Sequence, residues 1–261
     1  MKKLFLIFVI ICFFSSFSNG QEDTYKVGEK MEYLIHYGLI NGGTAYLELK
    51  RDTIAGKEVI HAVFDSHTTG IADVLFRVRD IYESFIDPKT QLPVKSIRNV
   101  TEGKYHRYNV VLFDHKSRAD SSILTSDLTG KHVVVQNIHD IISCFYFFRK
   151  SIMAKNPDLK KGDMITIMTW FTDELYPIRL RFVGIEDIKT KGGKLSCYKF
   201  NPVTEKGRLF KDEDGATFWF SADKNFLPVK VRFDIFVGSF TVDLVSSDGL
   251  YEPLNIKAKN D

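Results

Sequence analysis

One phrase occurs twice in the chain. Lys89-Thr90-Gln91-Leu92-Pro93-Val94-Lys95 returns as Lys224-Asn225-Phe226-Leu227-Pro228-Val229-Lys230, an offset of 228 − 93 = 135 residues. A repeat on this scale constrains the architecture before any single residue is interpreted, because each copy must fold into the same supersecondary unit. Each phrase reads as a turn that feeds a strand. A polar reversal comes first, leucine points into the core, and proline opens the next strand where no backbone donor is needed.

The flanks repeat as well. Val27-Gly28-Glu29-Lys30-Met31-Glu32-Tyr33 resembles Lys161-Gly162-Asp163-Met164-Ile165-Thr166-Ile167. Thr44 to Leu49 and Pro177 to Phe182 alternate apolar and polar residues, the period of a half-buried strand. Ala55-Gly56-Lys57 and Gly192-Gly193-Lys194 read as hairpin turns. Strands follow at Val59 to Phe64 and Leu195 to Phe200, then at Ile81 to Phe85 and Ala216 to Phe220. Beyond the Leu-Pro-Val turns, Ile97 and Val231 open long strands, and Gly103 and Gly238 separate them from Tyr105 to Phe113 and Phe240 to Val245. The chain therefore divides into a first β half at 21–115, an insert at 116–160 and a second β half at 161–261. One structural domain over 21–261 is expected.

The insert differs in character. Lys131 to Val135 has the composition of a short strand, and a helix is expected over about 138–154. Asn137 or Asp140 can cap its start, and Arg149, Lys150 and Lys155 suit its C-terminal end. Pro157 prevents continuation. Ile141, Ile142, Phe145, Phe148 and Ile152 share a broad face, and Phe145-Tyr146-Phe147-Phe148 makes the helix apolar nearly all round. Such a helix is buried, either plugging the open end of a sheet or lying inside a rolled one.

Residues 1–20 carry an address. Lys2 and Lys3 precede an apolar run from Leu4 to Phe14, and Ser18 and Gly20 suit cleavage before Gln21. The run is shorter than the ~20 residues that span a bilayer, so this is the pattern of a secretory signal peptide. Ile10 and Ile11 before Cys12 do not fit a lipidation site. The expected location is the periplasm of a Gram-negative-type bacterium, outer-membrane association or secretion being variants of it. No later segment reads as a transmembrane helix. Without Lys2 and Lys3, the 36 Lys+Arg fall to 34 against 33 Asp+Glu, a balance that gives no footprint for nucleic acid. Cys144 and Cys197 read as buried free thiols, with one long-range disulfide as the alternative.

Catalytic signatures are missing from the sequence. The seven histidines form no His-Glu-x-x-His helix or close Cys/His cluster, His61 and His67 read as surface histidines with a metal pair as the alternative, and no Gly-x-Ser-x-Gly elbow or phosphate loop occurs. No cofactor or metal is expected. Six residues are candidate ligand contacts. Alternation places Arg77 and Arg79 on one face of a strand as a clamp for a carboxylate or phosphate, with Asp80 and Tyr82 on the other face. Phe145 and Phe148 offer an apolar lining from the helix. Trp170 stands beside Asp173 and Glu174 at a strand end, as either a rim for a ligand or a loop anchor. Asp212-Glu213-Asp214-Gly215 reads as a hairpin turn.

These segments resemble an exported bacterial family, domain of unknown function 3108. The resemblance is carried by Ile142-Ser143-Cys144-Phe145-Tyr146-Phe147-Phe148-Arg149, Lys161-Gly162-Asp163 and Val183 to Thr190, and by Trp219 to Asp223, Leu227-Pro228-Val229 and Gly238-Ser239-Phe240. It implies a spiral antiparallel β-roll, or incompletely closed barrel, of two related halves around one central helix. It transfers no catalytic residue. The function expected is that of a non-enzymatic cell-envelope protein, binding a lipid or other apolar ligand or an envelope protein partner and supporting envelope integrity. Two alternatives stand beside it: cleavage of envelope glycans by carboxylates such as Asp80, Asp173 and Glu174, and a purely structural or assembly role.

Overall fold

The computed structural model describes residues 23–155, 158–190, 193–203, 215–234 and 238–257. The leader at 1–20, Pro157, Gly192 and Asp212 to Asp214 lie outside the described residues. The chain opens with an antiparallel meander of β1 (Lys30–Tyr37), β2 (Ile40–Ile54), β3 (Lys57–Thr68), β4 (Val78–Ile86), β5 (Pro93–Glu102) and β6 (Tyr105–Asp114). A one-and-a-half-turn helix, α1 (Gly70–Leu75), interrupts it between β3 and β4. The meander runs on into β7 (Ser121–Ser126) and β8 (Gly130–Val135). After a helical segment that begins with α2 (Ser143–Phe147) come β9 (Met164–Ile167) and a small hairpin, β10 (Trp170–Phe171) with β11 (Glu174–Leu175). The second meander continues with β12 (Ile178–Thr190), β13 (Gly193–Pro202), β14 (Ala216–Ser221), β15 (Pro228–Asp234) and β16 (Ser239–Asp248), and β17 (Ile256–Lys257) adds to β13.

The two meanders make one sheet because the last strand of the second pairs with the first strand of the first. β1 and β16 run antiparallel from Lys30↔Asp248 to Tyr37↔Phe240. The resulting 15-stranded sheet has β8 at one end and β9 at the other, so the roll does not close. The fold is the mostly β, antiparallel, incompletely closed roll expected from the sequence.

The repeated phrases occupy equivalent turns. Gln91 and Phe226, 135 positions apart, both take left-handed φ, 63° and 47°. Pro93 and Pro228 then begin β5 and β15. The strand lead-ins match as well. Gly28 N–H donates to the Leu49 carbonyl and Gly162 N–H to the Phe182 carbonyl, each at 2.9 Å and each with a strongly positive glycine φ. The leucines differ. Leu227 is fully buried, whereas Leu92 is half-buried and Gln91 beside it is buried, hydrogen-bonded to the Tyr25 hydroxyl.

The helix expected over 138–154 is shorter and irregular. Asn137 has φ of 58°, and Ile138 to Asp140 are extended: His139 N–H donates to the Met168 carbonyl and Trp170 N–H to the His139 carbonyl. Those tertiary bonds hold the backbone out of the helix. Asp140 then starts it, its Oδ1 accepting from the N–H groups of Ile142 and Ser143 at 2.8 and 2.7 Å. After α2 the pitch widens to a π turn, Phe148–Ile152, and tightens to a 3₁₀ turn, Met153–Lys155. The insert also contributes β7, a serine-rich strand that apolar alternation does not mark.

This helical segment is the plug of the roll. Tyr146 packs into a core with Met31, Tyr33, Leu47, Leu49 and Ala62 of the first meander. Cys144, Phe148 and Met153 pack into a second core with Ile167, Leu180, Phe182, Phe200 and Phe220. Phe145 reaches both. Cys144 and Cys197 are buried free thiols in separate clusters, and burial pushes both thiols up, Cys197 to about 12. Thiol labelling of the chain from Gln21 should therefore be slow in the native state and give two labels per chain after denaturation without reductant. No label under those conditions would mean a disulfide.

Candidate functional site

The plug is held by a buried ion pair. Arg149 and Glu29 are both fully inaccessible. Arg149 Nη1 donates to Glu29 Oε1 at 2.6 Å and Nη2 to Glu29 Oε2 at 2.8 Å, the bidentate geometry that a planar guanidinium favours. Its Nε donates to the Asn225 carbonyl at 2.8 Å and Nη2 also to the Thr24 carbonyl at 3.0 Å. The rings of Tyr25, Phe145 and Tyr146 surround the guanidinium carbon at 5.3–5.5 Å. Glu29 lies in the lead-in turn of the first meander, and Asn225 in the repeated turn of the second. Asn225 also clasps the backbone N–H and carbonyl of Glu252 through its side chain. The equivalent of Glu29 in the second lead-in turn, Asp163, is exposed, and its carboxylate accepts the local Lys160 N–H.

Beside the plug, the β10–β11 hairpin covers a small pocket of mixed polar and apolar lining against β4, β5 and β6. Tyr82, Ser96, Arg98, Asn109, Asp140 and Trp170 contribute to its wall, and the free volume is about 30 Å³, room for roughly two waters. Arg98 Nε and Trp170 Nε1 are buried donors without a protein acceptor, and Arg98 stacks its guanidinium over Phe171 at 5.5 Å. The hairpin tip is strained: Thr172 and Asp173 both have positive φ, 54° and 61°, uncommon for a β-branched residue. Asp173 holds the tip down through Arg107 at 3.5 Å. The arrangement can hold water or one small acceptor atom, not an extended ligand.

The six candidate ligand contacts divide among three places. Tyr82 and Trp170 share this pocket. Phe145 and Phe148 belong to the plug, with Phe148 enclosed by Phe220 at 4.8 Å and Phe200 at 5.5 Å between ring centroids. Arg77 and Arg79 stand outside, at the end of α1, and both pair with Asp73, at 3.7 and 2.6 Å. Of the carboxylates weighed for glycan cleavage, Asp80 is buried and accepts the Thr101 N–H, Asp173 pairs with Arg107, and Glu174 is exposed. His61 and His67 face Glu83 and Thr44 respectively. Among the described residues no group of three or more His, Cys, Asp or Glu gathers as a metal site. Sequence reasoning missed Glu29 and Arg98; the signal for a buried pair was Arg149 itself, a cation directly after the aromatic run Phe145 to Phe148.

This geometry defines a class: an unclosed antiparallel β-roll whose interior is filled by a helical plug. The chain belongs to the family described as protein of unknown function, DUF3108, which matches residues 32–245. In solved structures the fold is similar to a beta-barrel-like protein of domain of unknown function DUF1849 from Brucella abortus, with TM-score 0.58 and 10% identity over 88% of this chain and 100% of that one. No curated protein matches the sequence. At 10% identity the likeness concerns the fold alone.

Buried titratable groups make the interior sensitive to pH. Burial, aided by Glu102, raises Asp80 to about 6, and burial raises Asp140 to about 6. Burial lowers His139 to about 4. A raised carboxyl binds its proton more tightly in the folded state, so Asp80 and Asp140 favour folding at pH 4 and lose that contribution as pH rises through 6. His139 acts in the opposite sense across the same window and masks them. Asp80→Asn keeps an acceptor for Thr101 and removes one opposing contribution. Its melting temperature should match the parent near pH 4 and exceed it by several degrees at pH 7; a difference independent of pH would contradict the assignment.

Proposed function

We propose that this protein is an exported, non-enzymatic component of the bacterial cell envelope that works by surface contact, and that its roll is not a store for an apolar ligand. One observation carries the reading. The space in which a rolled sheet would hold a lipid is filled by Tyr146, Phe148, Cys144 and Met153, locked in place by Arg149 and Glu29. Ligand sites of carrier type need several hundred Å³ and a mostly apolar lining; the pocket under the β10–β11 hairpin offers about 30 Å³, and the larger clefts of about 300 Å³ beside Met153 and about 480 Å³ beside Met31 are rimmed by charged side chains, Asp23, Asp223 and Lys224 at the first and Lys30, Glu32, Glu48 and Asp65 at the second. The leader-like residues 1–20 support export. A plugged, rigid roll suits a scaffold that presents its outer surfaces to other envelope components and so supports envelope integrity.

Native mass spectrometry of protein purified from its own envelope tests the reading. The expected result is the bare chain mass, with chemical cross-linking before lysis capturing envelope components on the outer surface. A stoichiometric lipid or glycan retained in the gas phase would overturn it.

A further inference from the structure

We propose that the end of the roll carrying the β1–β2 turn and α1 is a membrane-docking tip that inserts apolar side chains into a lipid bilayer surface. Two separate elements expose large apolar residues there. At the β1–β2 turn, Leu39 is 102% exposed and Ile40 57%. On α1 and its C-terminal end, Val74 is 85% exposed, Leu75 79%, Ile71 66% and Phe76 56%. The two elements are neighbours: Thr69 N–H donates to the Gly42 carbonyl at 2.9 Å, and Ala72 lies over Gly42. The β5–β6 turn completes the end, with Gly103 N–H donating to the Arg77 carbonyl and Phe76 lying against Gly103.

The core does not explain these residues. α1 has no buried residue, so its sequence Gly-Ile-Ala-Asp-Val-Leu organises nothing inside the fold. Its one acidic side chain, Asp73, is turned back onto Thr68 and Arg79 at 2.7 and 2.6 Å, which leaves the apolar residues outermost. A contiguous exposed apolar cluster marks an interaction surface.

The occupant follows from shape, area and charge. The residues stand exposed on the β1–β2 turn and along α1, so they fit a deformable phase better than a shaped pocket. Six side chains fall far short of the roughly 20–30 residues per partner in a stable protein interface, which argues against a second copy of the chain. A few apolar side chains at the tips of loops are sufficient for reversible seating in the headgroup–acyl boundary, and flanking cations strengthen it on anionic lipid. Arg77 and Lys104 are exposed at this end. Together with Arg79 they outnumber Asp73 and Glu102 by three to two. The proposal rests on the contact reading above for its compartment, but vesicle binding is measured without reference to any copurifying component, so either can fail alone.

The test is co-sedimentation of the chain from Gln21, which holds every described residue, with vesicles of phosphatidylcholine alone and of phosphatidylcholine with phosphatidylglycerol. Two variants alter different elements: Leu39→Ser/Ile40→Ser and Val74→Ser/Leu75→Ser. The native chain should bind both vesicles, more strongly with phosphatidylglycerol. Each double variant should lower binding about tenfold at a fixed lipid concentration and leave the melting temperature unchanged, because the altered side chains are exposed. Arg77→Glu should lower binding to the anionic vesicles alone. Absence of vesicle binding by the native chain, or binding indifferent to both double variants, would overturn the proposal. So would dimerisation in solution that either double variant abolishes, which would make a second copy the occupant.

Discussion

The buried pair of Arg149 and Glu29 is the interaction on which the rest of the structure depends. Taking two ions out of water costs several kcal/mol each, and mutual attraction offsets this only when geometry is good and the remaining donors are satisfied. Here the geometry is bidentate and two backbone carbonyls take further guanidinium hydrogens. Those carbonyls belong to Thr24 and Asn225, so one side chain of the plug joins the N-terminal segment, the first lead-in turn and the second repeated turn. Through Asn225 the C-terminal stretch around Glu252 is tied in as well. The roll is open between β8 and β9, and a sheet without closure must be held in shape from inside.

The repeat explains how such a lock fits. Both copies keep the same backbone: left-handed φ at Gln91 and Phe226, the same glycine-led turn at Gly28 and Gly162, proline at the head of β5 and β15. The side chains on that backbone have separated. Glu29 holds the plug where Asp163 caps a surface turn, and Asn225, whose side chain clasps the backbone of Glu252, occupies the position of Thr90 in the first copy. Function is therefore sought where the copies differ. The plug is one such place.

Much of the sheet was legible in the sequence, because period-two alternation and glycine turns are local signals. Val59 to Phe64 and Tyr105 to Phe113, for example, fall inside β3 and β6. β7 escaped because Ser121, Ser122 and Ser126 sit where apolar residues were sought, and its buried serines are bonded instead: Ser122 to His115 and Ser126 to Asn109. The helix start was misplaced because bonds from His139 to Met168 and Trp170 are tertiary and leave no trace in periodicity. Arg149 read as a helix C-terminal cation because its partner lies 120 residues away. Of the candidate contacts, Tyr82 and Trp170 come together in space, which spacing along the chain does not predict. Ile71 to Phe76 drew no notice as a short apolar run; its exposure is visible only once β2 and β3 are placed beside it.

The central claim is that the Glu29–Arg149 pair locks the plug and thereby the roll. A double-mutant cycle in urea unfolding tests it, using Glu29→Leu, Arg149→Met and both together. Each single substitution strands a buried charge and should cost about 3–5 kcal/mol, while the double variant should recover most of that loss. Single substitutions that each cost under about 1 kcal/mol and simply add would contradict the account, because the two side chains would then be neither buried as a pair nor coupled.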